Sequence, residues 1–352
     1  MDGLFVEGQQ TSGQNNSLKS LYEHVAHNAI LTAERPRARC HPGTRDEAIR
    51  IIEKWIDGDG DLSRRIFWLS GPAGSGKTAI SQTISNRCTL RGTHMASFCI
   101  SDADPKRSHA GLVVATLLFQ ILRLFPTLEA DISTLLKEKP LIFDQSIPDQ
   151  FKYLIDIPVR TVVDASAHPQ RLLLLIDGLD ECGHRAKHVQ GDLLHALHYL
   201  GSQQNSPFIV LVASRGEPHL VMTFDDIGLS NDSICLDDSY SSQDDIRLFV
   251  MAEFEKIKRT HPLAHTLNND WPAEADIDEI VEESSGQFIY AASILRSISN
   301  SSASPVHSLD NARESMRLGV ELQDDHVYQQ LYSPTASTSH PADHSIKALH
   351  PT

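Results

Sequence analysis

The sequence predicts an α/β fold, a doubly wound and mostly parallel sheet with flanking helices, followed by a small partial helical domain. Three observations predict it. Strand-like apolar runs at 66–69, 95–100, 171–176, 208–213 and 233–236 alternate with segments of helical periodicity, the signature of βα repetition. The run Leu172-Leu173-Leu174-Leu175-Ile176 is apolar without alternation, as in a central parallel strand covered on both faces. A glycine-rich turn at 71–78 follows the first run and opens a helix, at the carboxyl end of a strand, where open α/β sheets place their ligands.

Each element then follows in order. Residues 7–17 are rich in Gly, Gln, Asn and Ser, a composition that predicts disorder, and Leu18, Leu21, Tyr22 and Val25 mark a short amphipathic helix. The turn Cys40-His41-Pro42-Gly43-Thr44-Arg45 leads into a helix with Thr44 expected at the N-cap and Glu47 at N3, a capping box. Behind it Ala48, Ile51, Ile52, Trp55 and Ile56 keep helical spacing, and Gly58-Asp59-Gly60 ends the helix. After the last strand, 241–258 reads as a helix capped by Ser242, with Ile246, Phe249, Val250 and Ile257 facing inward. A second helical region at about 274–298 carries Ile277, Ile280, Val281, Phe288, Ala292 and Leu295. Beyond Ser299 the composition shifts to Ser, Pro, Thr, His and Asp, with only a weak helical pattern around 309–332.

Composition narrows the function. The chain has 352 residues, enough for about two domains, and its 31 basic against 46 acidic residues give a net charge of −15. Such a charge argues against sequence-independent binding to nucleic acid or to an anionic membrane. Five widely spaced cysteines, never in a Cys-x-x-Cys pair, suit reduced thiols in a cytoplasmic protein better than a disulfide framework or a zinc ribbon. His184/His188 and His195/His198 fall at helical spacing without acidic or cysteine partners, so no metal cluster is expected there. The start MDGLFVEGQQ lacks a basic, then apolar, leader pattern. The greasiest stretch, Leu112 to Leu124, is broken by Gln120 and Arg123 and is too short to span a bilayer.

The chemistry is concentrated in Gly71-Pro72-Ala73-Gly74-Ser75-Gly76-Lys77-Thr78, which satisfies Gly-x-x-x-x-Gly-Lys-Ser/Thr at every constrained position. Backbone amides of such a turn, with the helix N-terminus behind it, replace the water around a polyphosphate. Lys77 would reach the outer phosphates and the Thr78 hydroxyl would ligate Mg²⁺. The second metal anchor is Asp177, which closes the apolar strand and precedes Gly178-Leu179-Asp180-Glu181. Many ATPases place Glu directly after this Asp; here Gly178 stands there, leaving Asp180 or Glu181 to orient the attacking water. Arg215, ending Phe208–Arg215, either points toward the γ-phosphate or pairs with Glu217 or another nearby acid.

Together CHPGTR at 40–45, GPAGSGKT at 71–78, LLLLIDGLDEC at 172–182, LVASRGEPH at 211–219 and the segment from Glu282 to Ala291 resemble the NACHT family of STAND P-loop NTPases, more narrowly its fungal nephrocystin-like group. The resemblance covers about 18–298. It implies an ATP- or GTP-driven, Mg²⁺-dependent signalling switch that oligomerises with copies or relatives. It also implies Thr44 and Arg45 near the base and ribose, and Gly286-Gln287-Phe288 at a nucleotide contact where relatives have Gly-x-Pro. The organisation it suggests is a disordered 1–17, a helical lead-in at 18–60, an NTPase core at 61–258, a partial helical lid at 259–298 and a mostly disordered 299–352. Relatives continue into a winged helix and repeats, whereas this sequence ends at Thr352. A truncated relative, an incomplete gene model or a decoy acting on full-length relatives are the corresponding expectations. The competing function is a nucleotide-gated interaction module without appreciable turnover.

Overall fold

A computed structural model gives the fold and describes residues 18–32, 38–59, 65–164, 171–183, 187–228, 233–236, 240 and 243–317. The expected disorder at 7–17, the Ser242 cap, Gly60 and His184 lie outside the described residues. In chain order the elements are α1 (Asp46–Asp57), β1 (Ile66–Ser70), α2 (Lys77–Arg91), β2 (Met95–Cys99), α3 (Ala110–Leu124), α4 (Glu129–Glu138), α5 (Ile147–Phe151), α6 (Ile157–Asp164), β3 (Leu172–Asp177), α7 (Lys187–Ser202), β4 (Phe208–Ser214), α8 (Pro218–Asp226), β5 (Ser233–Cys235), α9 (Gln243–Thr260), α10 (Glu274–Glu283), α11 (Phe288–Asn300) and α12 (Pro305–Arg317). A π-helical turn, Lys152–Asp156, joins α5 to α6.

The five strands form one sheet in the order β2-β3-β4-β1-β5, and every pairing is parallel. Every residue of β1, β3 and β4 is buried, which is why these strands read as unbroken apolar runs. Their side chains alternate between two cores. Ile66, Trp68, Leu174, Ile176, Val210 and Val212 face a layer built with α3 and α7. Phe67, Leu69, Leu173, Leu175 and Leu211 face α1 and α2, through Ile49, Ile52, Ile80 and Ile84. Helices on both faces make the sheet doubly wound. Among the described residues no single helix is long and apolar enough to cross a membrane.

A third core, separate from the sheet, joins α9 to α12: Ile246, Val250, Phe254, Trp271, Ile280, Leu295, Ile298 and Leu309. Here the structure corrects two boundaries. The helical region expected over about 274–298 consists of two helices, because Ser285 (φ 44°) and Gly286 (φ 78°) leave the helical conformation between α10 and α11. Within the segment expected as a mostly disordered tail from 299, Pro305–Arg317 is packed helix, since α12 buries Leu309 and Ala312 in this core. The capping expectation also fails. Arg45, in the left-handed region at φ 59°, occupies the N-cap of α1 with no side-chain cap, and the Thr44 hydroxyl instead donates to the His41 carbonyl at 2.8 Å.

Candidate functional site

The glycine-rich turn leaves the carboxyl end of β1 and runs directly into α2, whose N-cap is Gly76. No side chain caps this helix and no acid sits in its first turn. Its leading amides are therefore orphan donors at the positive end of a helix dipole, the arrangement an anion needs. Ser75 Oγ lies buried in the same turn without a hydrogen-bond partner. Lys77 is folded back on its own loop, where Nζ donates to the carbonyls of Gly71 (2.7 Å) and Pro72 (2.8 Å). Burial lowers the Lys77 pKa, while Asp180 and Asp177 pull it the other way.

Asp177 ends β3 at 2% exposure. The Ser81 hydroxyl donates to its Oδ1 at 3.2 Å and the Cys99 thiol to its Oδ2 at 3.3 Å. Register supplies the second contact, since Cys99 is the direct partner of Asp177 in the β2–β3 ladder. Neither residue stands out in the sequence. Ser81 falls one helical turn beyond Lys77, a spacing that could have nominated it, but Cys99 becomes visible only once strand order is known.

Gly178 shows why no Glu follows Asp177. Its φ is +81°, and a Cβ there would sit 2.9 Å from the Ile100 carbonyl oxygen. Only glycine fits. The water-orienting acid must then come from the short 3₁₀ turn Leu179–Glu181, and the two candidates differ in what already holds them. Asp180 accepts the Arg215 backbone amide at 2.9 Å on Oδ1 and pairs with Arg215 Nε at 3.3 Å on Oδ2. Both of its oxygens are engaged. Glu181 takes only a long bond from the Asp102 amide, at 3.4 Å. Its pKa is pushed up to about 7, first by burial and then by the neighbouring Asp180, Asp102 and Asp177. Gln190 fixes the turn by donating to the carbonyls of Asp180 (2.8 Å) and Cys182 (2.9 Å).

One cavity gathers Ala73, Gly74, Gly76, Lys77, Thr78, Asp177, Asp180, Glu181 and Arg215, roofed by Phe288, Ile289 and Ala292 of α11. Arg215 thus lines the cavity, with its guanidinium paired to Asp180. Glu181 and Arg215 also wall a second, polar cavity shared with Asp102, Lys187, Gln190, Glu217 and His219. Thr44 and Arg45, expected near the base and ribose, are not among the residues that line this cavity. Both are buried behind the loop, at 1% and 4% exposure. Phe288 does reach the cavity, as the first residue of α11. Among the described residues no group of three or more His, Cys, Asp or Glu could by itself hold a metal ion.

With this geometry in view, residues 48–215 match the family model described as Nephrocystin 3, N-terminal. Among solved structures, the Walker-type ATPase paby2304 of Pyrococcus abyssi superposes with a TM-score of 0.51 at 12% identity, over 84% of this chain and 79% of that one. The fold is that of a Walker-type, P-loop ATPase. A looser likeness, to PCH-2 of C. elegans, has a TM-score of 0.47 at 12% identity over 86% of this chain and 73% of that one. No curated protein matches the chain in sequence. The matched span, 48–215, runs from α1 to the residue after β4 and includes the glycine-rich turn.

Proposed function

We propose that this chain is a NACHT-type signalling NTPase that binds ATP or GTP with Mg²⁺ and hydrolyses the γ-phosphate slowly. The observation that carries the proposal is convergence: uncapped helix amides, Lys77, Thr78, Asp177 and a Glu181 titrating near neutrality all face one cavity. The donor set suits Mg²⁺, because the Asp177 carboxylate and Thr78 hydroxyl offer the hard oxygens that cation prefers. Bound there, the ion would neutralise charge on the β- and γ-phosphate oxygens. Lys77 would exchange the Gly71 and Pro72 carbonyls for phosphate oxygens. Glu181 accepts the proton of the attacking water. Asp180 keeps Arg215 and the turn in place.

A turnover-free interaction module is favoured by one observation, the commitment of Arg215 to Asp180, which leaves γ-phosphate charge to Lys77 and the metal. Assembly with copies of the chain or with relatives, and a cytoplasmic setting, belong to the proposal and rest on the resemblance. Phosphate release by the purified chain separates the two readings. Hydrolysis that falls by about 10²–10⁴ in Glu181→Gln, with nucleotide binding kept, supports the NTPase. Tight binding without any release in the wild type supports the module instead.

A further inference from the structure

The buried guanidinium behind the phosphate loop has no part in the chemistry above, yet it touches the loop, the residue before α9 and the roof of the cavity. Arg45 NH2 donates to the Ser75 carbonyl of the loop at 2.8 Å, and NH1 donates to the Tyr240 carbonyl that precedes α9. Its backbone amide donates to Asp245 Oδ2 of α9 at 2.8 Å. Its Cζ lies 4.9 Å from the centroid of the Phe288 ring, which roofs the cavity. A planar, forked cation can make these contacts together; an ammonium cannot.

The roof leans on the loop at a second point. The Ile289 amide lies 3.4 Å from the Gly74 carbonyl, and a Cβ at Gly74 would run into the Ile289 side chain. Gly74, at φ +74°, is therefore needed both for its backbone conformation and for the close approach of α11. Phe249 of α9 packs against Phe288 at 5.8 Å, so the ring beside Arg45 is continuous with the core of the helical unit. The Nε of Arg45 is buried without a partner. Its burial is thus only partly offset, as suits a contact made to open.

We propose that Arg45 is a positioning residue, a latch by which one guanidinium holds the α9–α12 unit over the cavity and fixes the Ser75 carbonyl of the phosphate loop. The proposal rests on the nucleotide reading only for its consequence, which is that nucleotide leaves when this latch opens. Holding the Ser75 carbonyl from behind keeps the adjoining amides aimed at the cavity. Stacking on Phe288 keeps the roof closed.

The test uses the full chain with Arg45→Lys, Phe288→Leu and the double variant. Hydrogen exchange is read without nucleotide, and the dissociation rate of a fluorescent ATP analogue is read with Mg²⁺. Each single variant is expected to speed exchange at 286–292 and nucleotide release by about tenfold, while the β3 amides stay protected. The double variant should be no faster than the faster single, because the stacking contact that Phe288→Leu removes is already lost in Arg45→Lys. Wild-type exchange and release in both singles, multiplicative effects in the double, or acceleration spread equally into β3 would overturn the latch. If Arg45→Lys does not fold, Phe288→Leu alone carries the exchange test. If the wild type binds no nucleotide, the nucleotide reading falls while exchange still decides the latch.

Discussion

The sheet and the helical unit that roofs it are held by different forces. In the sheet, three fully buried strands share parallel ladders and two apolar cores, and the site residues grow from strand ends: Gly71 after β1, Asp177 at the end of β3, Arg215 after β4. The helical unit has no ladder. It is joined by apolar packing, such as Phe254 against Trp271 at 5.2 Å, and by partly exposed ion pairs, including Arg313 with Asp276 at 2.7 Å and Arg247 with Asp278. Groups that must keep sub-ångström geometry stand on the rigid part, and the part that must admit a ligand is fastened by a few side chains. On the function proposed above, chemistry belongs to one region and gating to the other.

Truncation in the sheet is the harshest way to break that division. Leu174→Ala leaves a cavity in the central strand and should cost about 2–5 kcal/mol, read as a lower denaturation midpoint with nucleotide binding lost in parallel. Gly178→Ala comes next. It forces a Cβ against the Ile100 carbonyl at positive φ and should cost about 1–3 kcal/mol, with hydrolysis falling further than stability because Glu181 moves with the turn.

The pH dependence sharpens the same contrast. Glu181 has a folded pKa of about 7 against an ordinary 4.5, so the folded chain holds a proton that the unfolded chain releases. Its contribution to stability is therefore present below pH 4.5 and is lost as pH rises toward 7. A base must be charged, so hydrolysis should run the opposite way and rise through about pH 7. Glu181→Gln should flatten the stability change. The smallest effect belongs to the helical unit. Arg313→Ala removes partly exposed pairs with Asp276 and Glu279 and should cost about 1 kcal/mol, leaving the sheet unchanged in a melting curve.

How much the sequence disclosed follows the same line. Buried parallel strands must be apolar at every position, so their runs were legible without any neighbour. The glycine-rich turn was legible because its constraints are local in the chain. Contacts made by register or by packing between units were not. Cys99 meets Asp177 only through the β2–β3 ladder, and Arg215 meets Asp180 only once β4 lies beside β3. Arg45 sits in a turn whose caps looked ordinary, yet Asp245, Tyr240 and Ser75 determine its conformation from as far as 200 residues away. The break at Ser285-Gly286 was hidden because apolar residues keep a helical rhythm on both sides of it.

Isothermal titration of ATP and of GTP, each with Mg²⁺, into the wild type and Lys77→Ala tests the central claim most directly. The account predicts saturable one-to-one binding of at least one of the two by the wild type, lost or weakened at least tenfold in Lys77→Ala. Absence of heat from both nucleotides at millimolar concentration, or equal binding by the two proteins, would contradict it.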